Sequence, residues 1–260
     1  MLLIRIEIKG QNQKGSEITE ESQILVVEDE ALVAEDIRRT LHNLGYIVLS
    51  TASSGKEALK KVDELRPDLV LMDIVLQGEM DGIETAREIR TRFNIPVVYL
   101  TAYSDGEILE RAKLTEPFGY IIKPFKEREL KINIVVALYK HKVEKQLKEG
   151  KEFYENVLEE IINGVWATDK NDFVRYANKG ALKIMRKDLE QVVGIRVLKD
   201  FPDPFKPYYL KAKKSMKPLY YKDIPFNIKD GHQINQSGWL IPRIKDGDFN
   251  GMICTIETHD

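Results

Sequence analysis

The chain has 260 residues, a formal net charge of −2 at pH 7 and a single cysteine. This length suits two domains of ordinary size, each with its own core. The near-neutral charge argues against a global basic field that attracts nucleic acid or a membrane, and one cysteine excludes a disulfide framework. No apolar run is long enough to cross a bilayer, and the first residues lack a signal-peptide pattern. We therefore expect a protein of the reducing cytoplasm.

Short apolar runs alternate with helical patterns in the first half of the chain. The runs predict five strands, at residues 24–27, 46–52, 69–72, 97–101 and 120–122. Apolar residues recur at helical spacing between the first three runs and again after the third. Several runs are continuously apolar, as expected for a parallel sheet covered on both faces. The pattern predicts a doubly wound parallel α/β domain over residues 23–146.

Residues 1–22 precede this domain as an N-terminal extension. Apolar residues alternate near its start, which fits either an edge strand or a flexible segment.

The second half of the chain has a different pattern. Asp-Gly pairs between extended runs favour hairpins. The predicted strands are residues 164–169, 173–178, 219–228, 233–244 and 251–258. The predicted helical segments are residues 152–162 and 178–192, with a shortened or irregular helical region at 201–218. This order predicts an α+β domain over residues 147–258, including an N-terminal linker helix, with one antiparallel sheet.

A long linker helix is predicted over residues 127–149, because proline and glycine are absent until Gly150. Apolar residues recur along it at intervals of seven, in two sets offset by four: Val136, Val143 and Val157, then Leu147, Tyr154 and Ile161. Lys140 and Gly150 interrupt the pattern. It fits either a two-stranded coiled-coil seam or a stripe that packs on the helix's own domain.

Polar residues follow four of the predicted parallel strands, where the strands end. They are Glu28 and Asp29, then Asp73, then Thr101, and last Lys123. In open α/β sheets, ligands bind beyond the carboxyl ends of the strands. Clustered carboxylates repel one another unless a cation lies among them, and hard oxygen ligands suit Mg²⁺. The sequence therefore predicts a magnesium site with a hydroxyl and an amine beside it.

These positions carry a family resemblance. The segments VVEDE, LVLMDIVLQGEMDGIE, YLTAYSD and GYIIKPF resemble the receiver domain of two-component response regulators, over about residues 22 to 146. The resemblance implies a flavodoxin-like five-stranded sheet. One loop departs from the common pattern, since the segment after Asp73 lacks the usual proline and has one extra residue before Met80. This departure bears on partner choice and dephosphorylation rate.

The resemblance also implies roles for individual residues. Asp73 would accept a phosphoryl group from a sensor histidine kinase or a small acyl phosphate. Mg²⁺ would be held by Glu28, Asp29, Asp73 and the main-chain carbonyl of Val75. Lys123 and Thr101 would bind phosphoryl oxygens, and Tyr120 would turn inward as Thr101 moves. Tyr120 also fits a plain core position.

The second half resembles a PAS domain over about residues 150 to 258, from EFYENVLEEIINGVWATD through ANKGALKIM to the last two strands. PAS domains bind small molecules, haem or flavin, or only other proteins. A cysteinyl-flavin is argued against, since Cys254 lies in the last strand, and so is histidine-ligated haem, since no histidine occurs between residues 142 and 231. The ligand stays unknown. Four aromatic residues fit a ligand pocket or, as we favour, the core: Trp166, Tyr176, Phe226 and Trp239.

These features predict a cytoplasmic response regulator that turns over no external substrate and signals through protein contacts. No DNA-reading module or kinase ATP-binding module is recognisable, and His141 is expected on the surface. The downstream partner is unknown, and a homodimer through the linker helix and PAS domain is one option; no nucleic acid or membrane partner is expected. Two rivals stay open: the regulatory part of a hybrid sensor kinase, and a ligand-sensing PAS module with a non-switching receiver.

Overall fold

The computed structural model describes residues 21–102, 111, 115, 117–227 and 233–258. The chain divides into two compact units between Leu147 and Lys148. Most of the predicted N-terminal extension, residues 1–20, lies outside the described residues, as does the predicted hairpin turn at residues 229–232. Within the described part, no helix is both long and apolar enough to cross a membrane.

The first unit is built on a parallel five-stranded sheet, in the order β2-β1-β3-β4-β5. Its strands are β1 Gln23–Val27, β2 Ile47–Ala52, β3 Leu69–Asp73, β4 Val97–Ala102 and β5 Gly119–Lys123. Its helices include α1 Ala31–Asn43, α2 Gly55–Leu65 and α3 Gly82–Phe93. The predicted parallel α/β fold is confirmed. The sheet buries apolar side chains on both faces, which is why its central strands are continuously apolar.

Local contacts start helix α3 directly beside the end of β3. The Asp81 carboxylate accepts a hydrogen bond from the N–H of Glu84 and caps the helix. Gly82 follows, and a Cβ on it would lie 1.9 Å from the carbonyl oxygen of Asp73. Only glycine permits this approach. The first turn of α3 is therefore held against the strand that ends in Asp73.

The linker helix, α4, runs from Glu127 to Glu160 without a break. Its first turns bury Leu130, Ile134 and Ala137 in the first unit. The helix therefore continues through Gly150 and joins two predicted helical segments, residues 127–149 and 152–162, into one helix. A glycine inside a helix costs about 1 kcal/mol relative to alanine, and a long helix formed cooperatively absorbs such a loss.

The second unit contains an antiparallel five-stranded sheet in the order β7-β6-β10-β9-β8. Its strands are β6 Gly164–Thr168, β7 Val174–Ala177, β8 Leu219–Asn227, β9 Gln233–Lys245 and β10 Asp248–Thr258. Its helices are α5 Lys179–Met185, α6 Val197–Asp200 and α7 Lys206–Ser215, with a 3-10 turn at Leu189–Gln191. The predicted antiparallel sheet is confirmed.

One helical prediction in this unit needs correction. The helix expected over residues 178–192 ends at Met185, because Arg186 adopts a left-handed conformation with φ of 51° and closes it. The region 201–218, expected to be a shortened or irregular helical region, contains the ten-residue helix α7, as the first of these alternatives predicts. Tyr209 and Ala212 are buried from α7 and anchor it to the core.

An aromatic cluster forms the core of the second unit. Trp166 and Phe201 stack at 4.9 Å between ring centroids, and Phe205 packs against both. Of the four aromatic residues predicted for the core, Trp166 is fully buried, whereas Phe226 and Tyr176 are partly buried. The prediction is wrong for Trp239, which is 47% exposed and packs edge-on against Tyr220. Its position in β9 points it away from the buried face, because side chains alternate along a strand.

Cys254 provides a test of this core. The side chain is fully buried in β10, and burial raises the pKa of its thiol well above the ordinary value. We expect the folded protein to resist a thiol reagent such as DTNB at pH 8, because the thiolate is the reacting form. A Lys170→Cys variant, with its new thiol in an exposed turn, is the matched control and should react at once. Rapid wild-type reaction under native conditions would contradict this packing.

Candidate functional site

Three carboxylates converge at the carboxyl edge of the parallel sheet. Glu28 and Asp29 directly follow β1, and Asp73 ends β3, which pairs with β1. Each offers an oxygen that lies within 4.8 Å of the oxygens of the other two. Glu28 and Asp73 are 3% and 8% exposed, and Asp29 is half-buried. This edge is the point where the strand order reverses, the usual ligand position in such sheets.

Lys123 places a cation against two of these carboxylates. Its Nζ donates hydrogen bonds to Oδ2 of Asp73 at 2.7 Å and to Oε2 of Glu28 at 2.5 Å. The other carboxylate oxygen of Asp73, Oδ1, accepts a hydrogen bond from the N–H of Val75 at 3.1 Å. Each carboxylate oxygen of Asp73 thus accepts one hydrogen bond, and the two bonds together orient the side chain.

The electrostatics of the site follow from burial and crowding. Burial raises the pKa of Glu28 and the nearby Asp73 charge adds to the rise, although the hydrogen bond from Lys123 opposes it. Burial works against the charged form of Lys123, but its hydrogen bonds to Asp73 and Glu28 outweigh that effect and raise its pKa. The ammonium therefore stays charged at neutral pH. Three carboxylates offer more oxygen ligands than the one ammonium occupies, so the donor set fits a hard divalent cation such as Mg²⁺.

The other predicted residues lie near this edge. Thr101 lies near the end of β4 and is half-buried, one strand away from Asp73. The side chain of Val75 is 65% exposed, so its predicted contribution is limited to the main chain. Tyr120 is half-buried in β5, three residues before Lys123, and its ring centroid lies 5.7 Å from that of Tyr99. The structure thus brings Glu28, Asp29, Asp73 and Lys123 together directly, with Thr101 on β4 and Tyr120 on β5, the strand that also carries Lys123.

Sequence reasoning missed an ion pair beside the site. The guanidinium of Arg111 lies 2.7 Å from Oδ2 of Asp81, the residue that caps α3. The capping role was readable, since Asp81 precedes Glu84 by three residues. The pairing with Arg111, thirty residues on, had no sequence signal.

The prediction for His141 is wrong. Its ring is half-buried rather than exposed, and it packs edge-on against Phe118 at 5.6 Å between centroids. Burial lowers the pKa of the imidazole. The helical spacing that buries Leu130, Ile134 and Ala137 also turns residue 141 toward the same unit, and this explains the difference.

Comparisons with known proteins assign the first unit. Residues 24–135 match the model of the response regulator receiver domain. The transcriptional regulatory protein PdtaR of Mycobacterium tuberculosis is 37% identical over 108 residues, which are 42% of this chain and 52% of PdtaR. The uncharacterised transcriptional regulatory protein YrkP of Bacillus subtilis is 34% identical over 152 residues, 57% of this chain and 64% of YrkP. The chain thus spans about half to two thirds of the length of these relatives.

Among solved structures, the signal receiver domain of a modulated diguanylate cyclase from Desulfovibrio desulfuricans G20 is 40% identical. The match covers 48% of this chain and 98% of that one, with a TM-score of 0.47. The family match and the curated relatives agree with the motifs at the strand ends. Residues 24–135 of this chain therefore form a response regulator receiver domain.

Proposed function

We propose that this protein is a response regulator in a two-component phosphorelay, with Asp73 as the residue that accepts the phosphoryl group. The observation that carries the proposal is the arrangement around Asp73: two further carboxylates within 4.8 Å and the Lys123 ammonium at 2.7 Å. The phosphodonor would be a sensor histidine kinase. We place the protein in the cytoplasm, and we propose no activity on an external substrate.

Each residue of the site has a task in this reaction. A carboxylate oxygen of Asp73 attacks phosphorus, and the bond from phosphorus to the donor nitrogen breaks as the aspartyl phosphate forms. Lys123 would then transfer its hydrogen bond from the carboxylate to a phosphoryl oxygen, where its point charge offsets the added negative charge. Glu28, Asp29, Asp73 and the carbonyl of Val75 would hold Mg²⁺, which would supply further neutralisation of charge on the phosphoryl group.

Thr101 and Tyr120 would carry the change away from the site. A phosphoryl oxygen offers a new hydrogen-bond acceptor to the Thr101 hydroxyl, and movement of that residue frees space for the Tyr120 ring. Phosphorylation, a local change in charge, thereby changes the conformation of the receiver surface.

We further propose that the second unit is a PAS domain that relays this state by protein contacts. Its strand pattern supports the proposal: two strands, then the helices, then three strands, all in one antiparallel sheet. Cys254 lies in this core, on β10, and we propose no cysteinyl-flavin. We also propose that the protein forms a homodimer through the linker helix and this domain. We propose neither nucleic acid nor a membrane as a binding partner.

Native mass spectrometry with Mg²⁺ and beryllofluoride tests the proposed acceptor. Beryllofluoride stands in for the phosphoryl group on an aspartate. We expect an adduct that forms only when Mg²⁺ is present and is absent from an Asp73→Asn variant. An adduct that persists in that variant, or that forms equally well without Mg²⁺, would contradict the proposed site.

A further inference from the structure

A cavity of about 490 Å³ opens into the second unit beside its aromatic core. Its apolar walls are formed by Met185, Val192, Ile195, Phe201 and Phe226. Phe201 also stacks on Trp166 at 4.9 Å between ring centroids, so this wall of the cavity is itself part of the aromatic cluster. The volume is that of sites that hold a small organic molecule.

One wall of this cavity carries an amide that has no hydrogen-bond partner. Gln236 lines the cavity from β9 and is only 2% exposed. It lies four residues before the buried Leu240, so both side chains point to the buried face of the sheet. Among the described residues, no hydrogen bond reaches the side-chain amide of Gln236. Buried polar groups nearly always have a partner in folded proteins, so this amide indicates a ligand that enters the cavity.

The chemistry of this amide defines one edge of the ligand. A carboxamide presents an acceptor oxygen beside a donor NH₂ group. It pairs best with a molecule that carries a donor next to an acceptor, as glutamine pairs in two hydrogen bonds with the amino group and ring nitrogen of adenine. The rings of Phe201 and Phe226 lie 6.3 Å apart between centroids and at 90° to each other, and they offer aromatic surface to a flat ring. A planar nitrogen heterocycle satisfies both features.

Two lysines at the mouth of the cavity favour an anionic group on the same ligand. Lys187 and Lys199 both line the cavity and are exposed. Neither forms an ion pair with another described residue. Hydrogen bonds from an ammonium group to a phosphate are among the stronger ones in proteins, because both partners are charged. The mouth therefore suits a phosphate that remains partly in solvent while the heterocycle is buried.

The two acidic residues at the mouth do not cancel this positive charge. Asp203 forms an ion pair with Lys206 at 2.8 Å. Asp200 accepts a hydrogen bond from the main-chain N–H of Arg196 at 2.8 Å. The lining contains three lysines and two aspartates, so its net charge is positive.

We propose that the second unit binds an adenine mononucleotide in this cavity. The adenine ring would lie against Phe201 and Phe226 and meet the amide of Gln236. The phosphate would lie at Lys187 and Lys199. This molecule combines a flat heterocycle, a donor beside an acceptor and an anion, which are the three features that the lining selects. Binding would give the second unit an input of its own, and the proposal does not depend on phosphorylation of the receiver.

Equilibrium dialysis of the full-length protein against AMP tests the proposal. We expect AMP to bind at least tenfold more tightly than adenosine, which lacks the anion, and than ribose 5-phosphate, which lacks the heterocycle. Equal affinity for adenosine and AMP would overturn the role of the lysines, and no retention of AMP would overturn the site. The buffer contains neither Mg²⁺ nor a phosphodonor. A failure here therefore leaves the role of Asp73 untouched, and a failure of phosphorylation leaves this result untouched.

Trp166 shows whether the nucleotide occupies this cavity. The chain has two tryptophans, and Trp239→Phe leaves only Trp166, which stacks on the wall residue Phe201. AMP should change the emission of Trp166 in this variant with the same dissociation constant that dialysis gives. An emission that stays unchanged at saturating AMP would place the nucleotide elsewhere and overturn the site.

The lysines are tested by the double variant Lys187→Gln/Lys199→Gln. It should weaken AMP binding at least fivefold and leave adenosine binding unchanged, because only AMP carries the phosphate. Lys170→Gln, which removes an ammonium from an exposed turn, is the matched control and should bind AMP as the wild type does. An equal loss for AMP in both variants would indicate a general effect of charge and overturn the contact.

Gln236→Leu separates a ligand contact from a structural role. Leucine has a similar size and replaces an unpartnered amide by an apolar group in a buried place, which favours the folded state. We expect AMP affinity to fall at least tenfold, while the urea midpoint reported by Trp166 in the absence of nucleotide rises. Gln146→Leu, the same change at an exposed residue of the linker helix, should alter neither value. Unchanged AMP affinity, or a lower urea midpoint, in Gln236→Leu would overturn the assignment of this amide to a ligand.

Discussion

Replacement of Asp73 by asparagine is expected to abolish phosphorylation of this protein by acetyl phosphate. The amide has nearly the same shape as the carboxylate but lacks the anionic oxygen that attacks phosphorus. Because Asp73 is the nucleophile itself, we expect a loss of at least 10³-fold in rate, equivalent to about 4 kcal/mol of activation free energy. Intact-mass spectrometry after incubation with acetyl phosphate and Mg²⁺ measures the modified fraction.

Asp36→Asn is the matched control for this experiment. Asp36 is exposed on α1, away from the strand ends, and its replacement makes the same change of charge. It should be phosphorylated at the wild-type rate. Modification of Asp73→Asn at that rate would show that another residue accepts the phosphoryl group.

Lys123→Met is expected to destabilise the first unit and to make its stability depend more strongly on Mg²⁺. Lys123 is 19% exposed at its side chain and contacts Glu28, whose side chain is 2% exposed. Removing one partner of a buried ion pair leaves the other charge uncompensated, which costs about 3–5 kcal/mol. We expect about 3 kcal/mol, the lower end of that range, because the ammonium is still partly solvated.

The response to Mg²⁺ distinguishes this cause from simple misfolding. Without Lys123, three carboxylates face one another with no ammonium among them, so the site should bind a divalent cation more tightly. Binding to the folded state alone raises stability, and Mg²⁺ should therefore raise the urea midpoint of Lys123→Met more than that of the wild type. Lys126→Met, which removes an exposed ammonium three residues on, serves as the control. Equal Mg²⁺ effects in all three proteins would argue against a cation at Glu28, Asp29 and Asp73.

The parallel sheet and the main residues of its site were readable from the sequence, for a physical reason. Buried parallel strands need continuous apolar runs, and the residue after each run must emerge at the same edge of the sheet. Glu28, Asp29, Asp73 and Lys123 are all such residues, so their convergence followed from local pattern alone. The hydrogen bond from Lys123 to Glu28 joins residues 95 apart, and its geometry depends on the packing of the intervening strands.

Other features were decided only by tertiary structure. The passage of the linker helix through Gly150, the early end of α5 at Arg186 and the exposure of Trp239 each overrode a local expectation. For Gly150 the balance is about 1 kcal/mol between the helix propensity of glycine and cooperative helix formation, whereas the exposure of Trp239 depends on which face of β9 packs on the core. The predicted exposure of His141 was wrong because residue 141 lies on the face of the linker helix that packs on the first unit. The sequence by itself determined the period of the linker helix and the residues on each of its faces. Only the folded sheet decided which of those faces packs against the first unit.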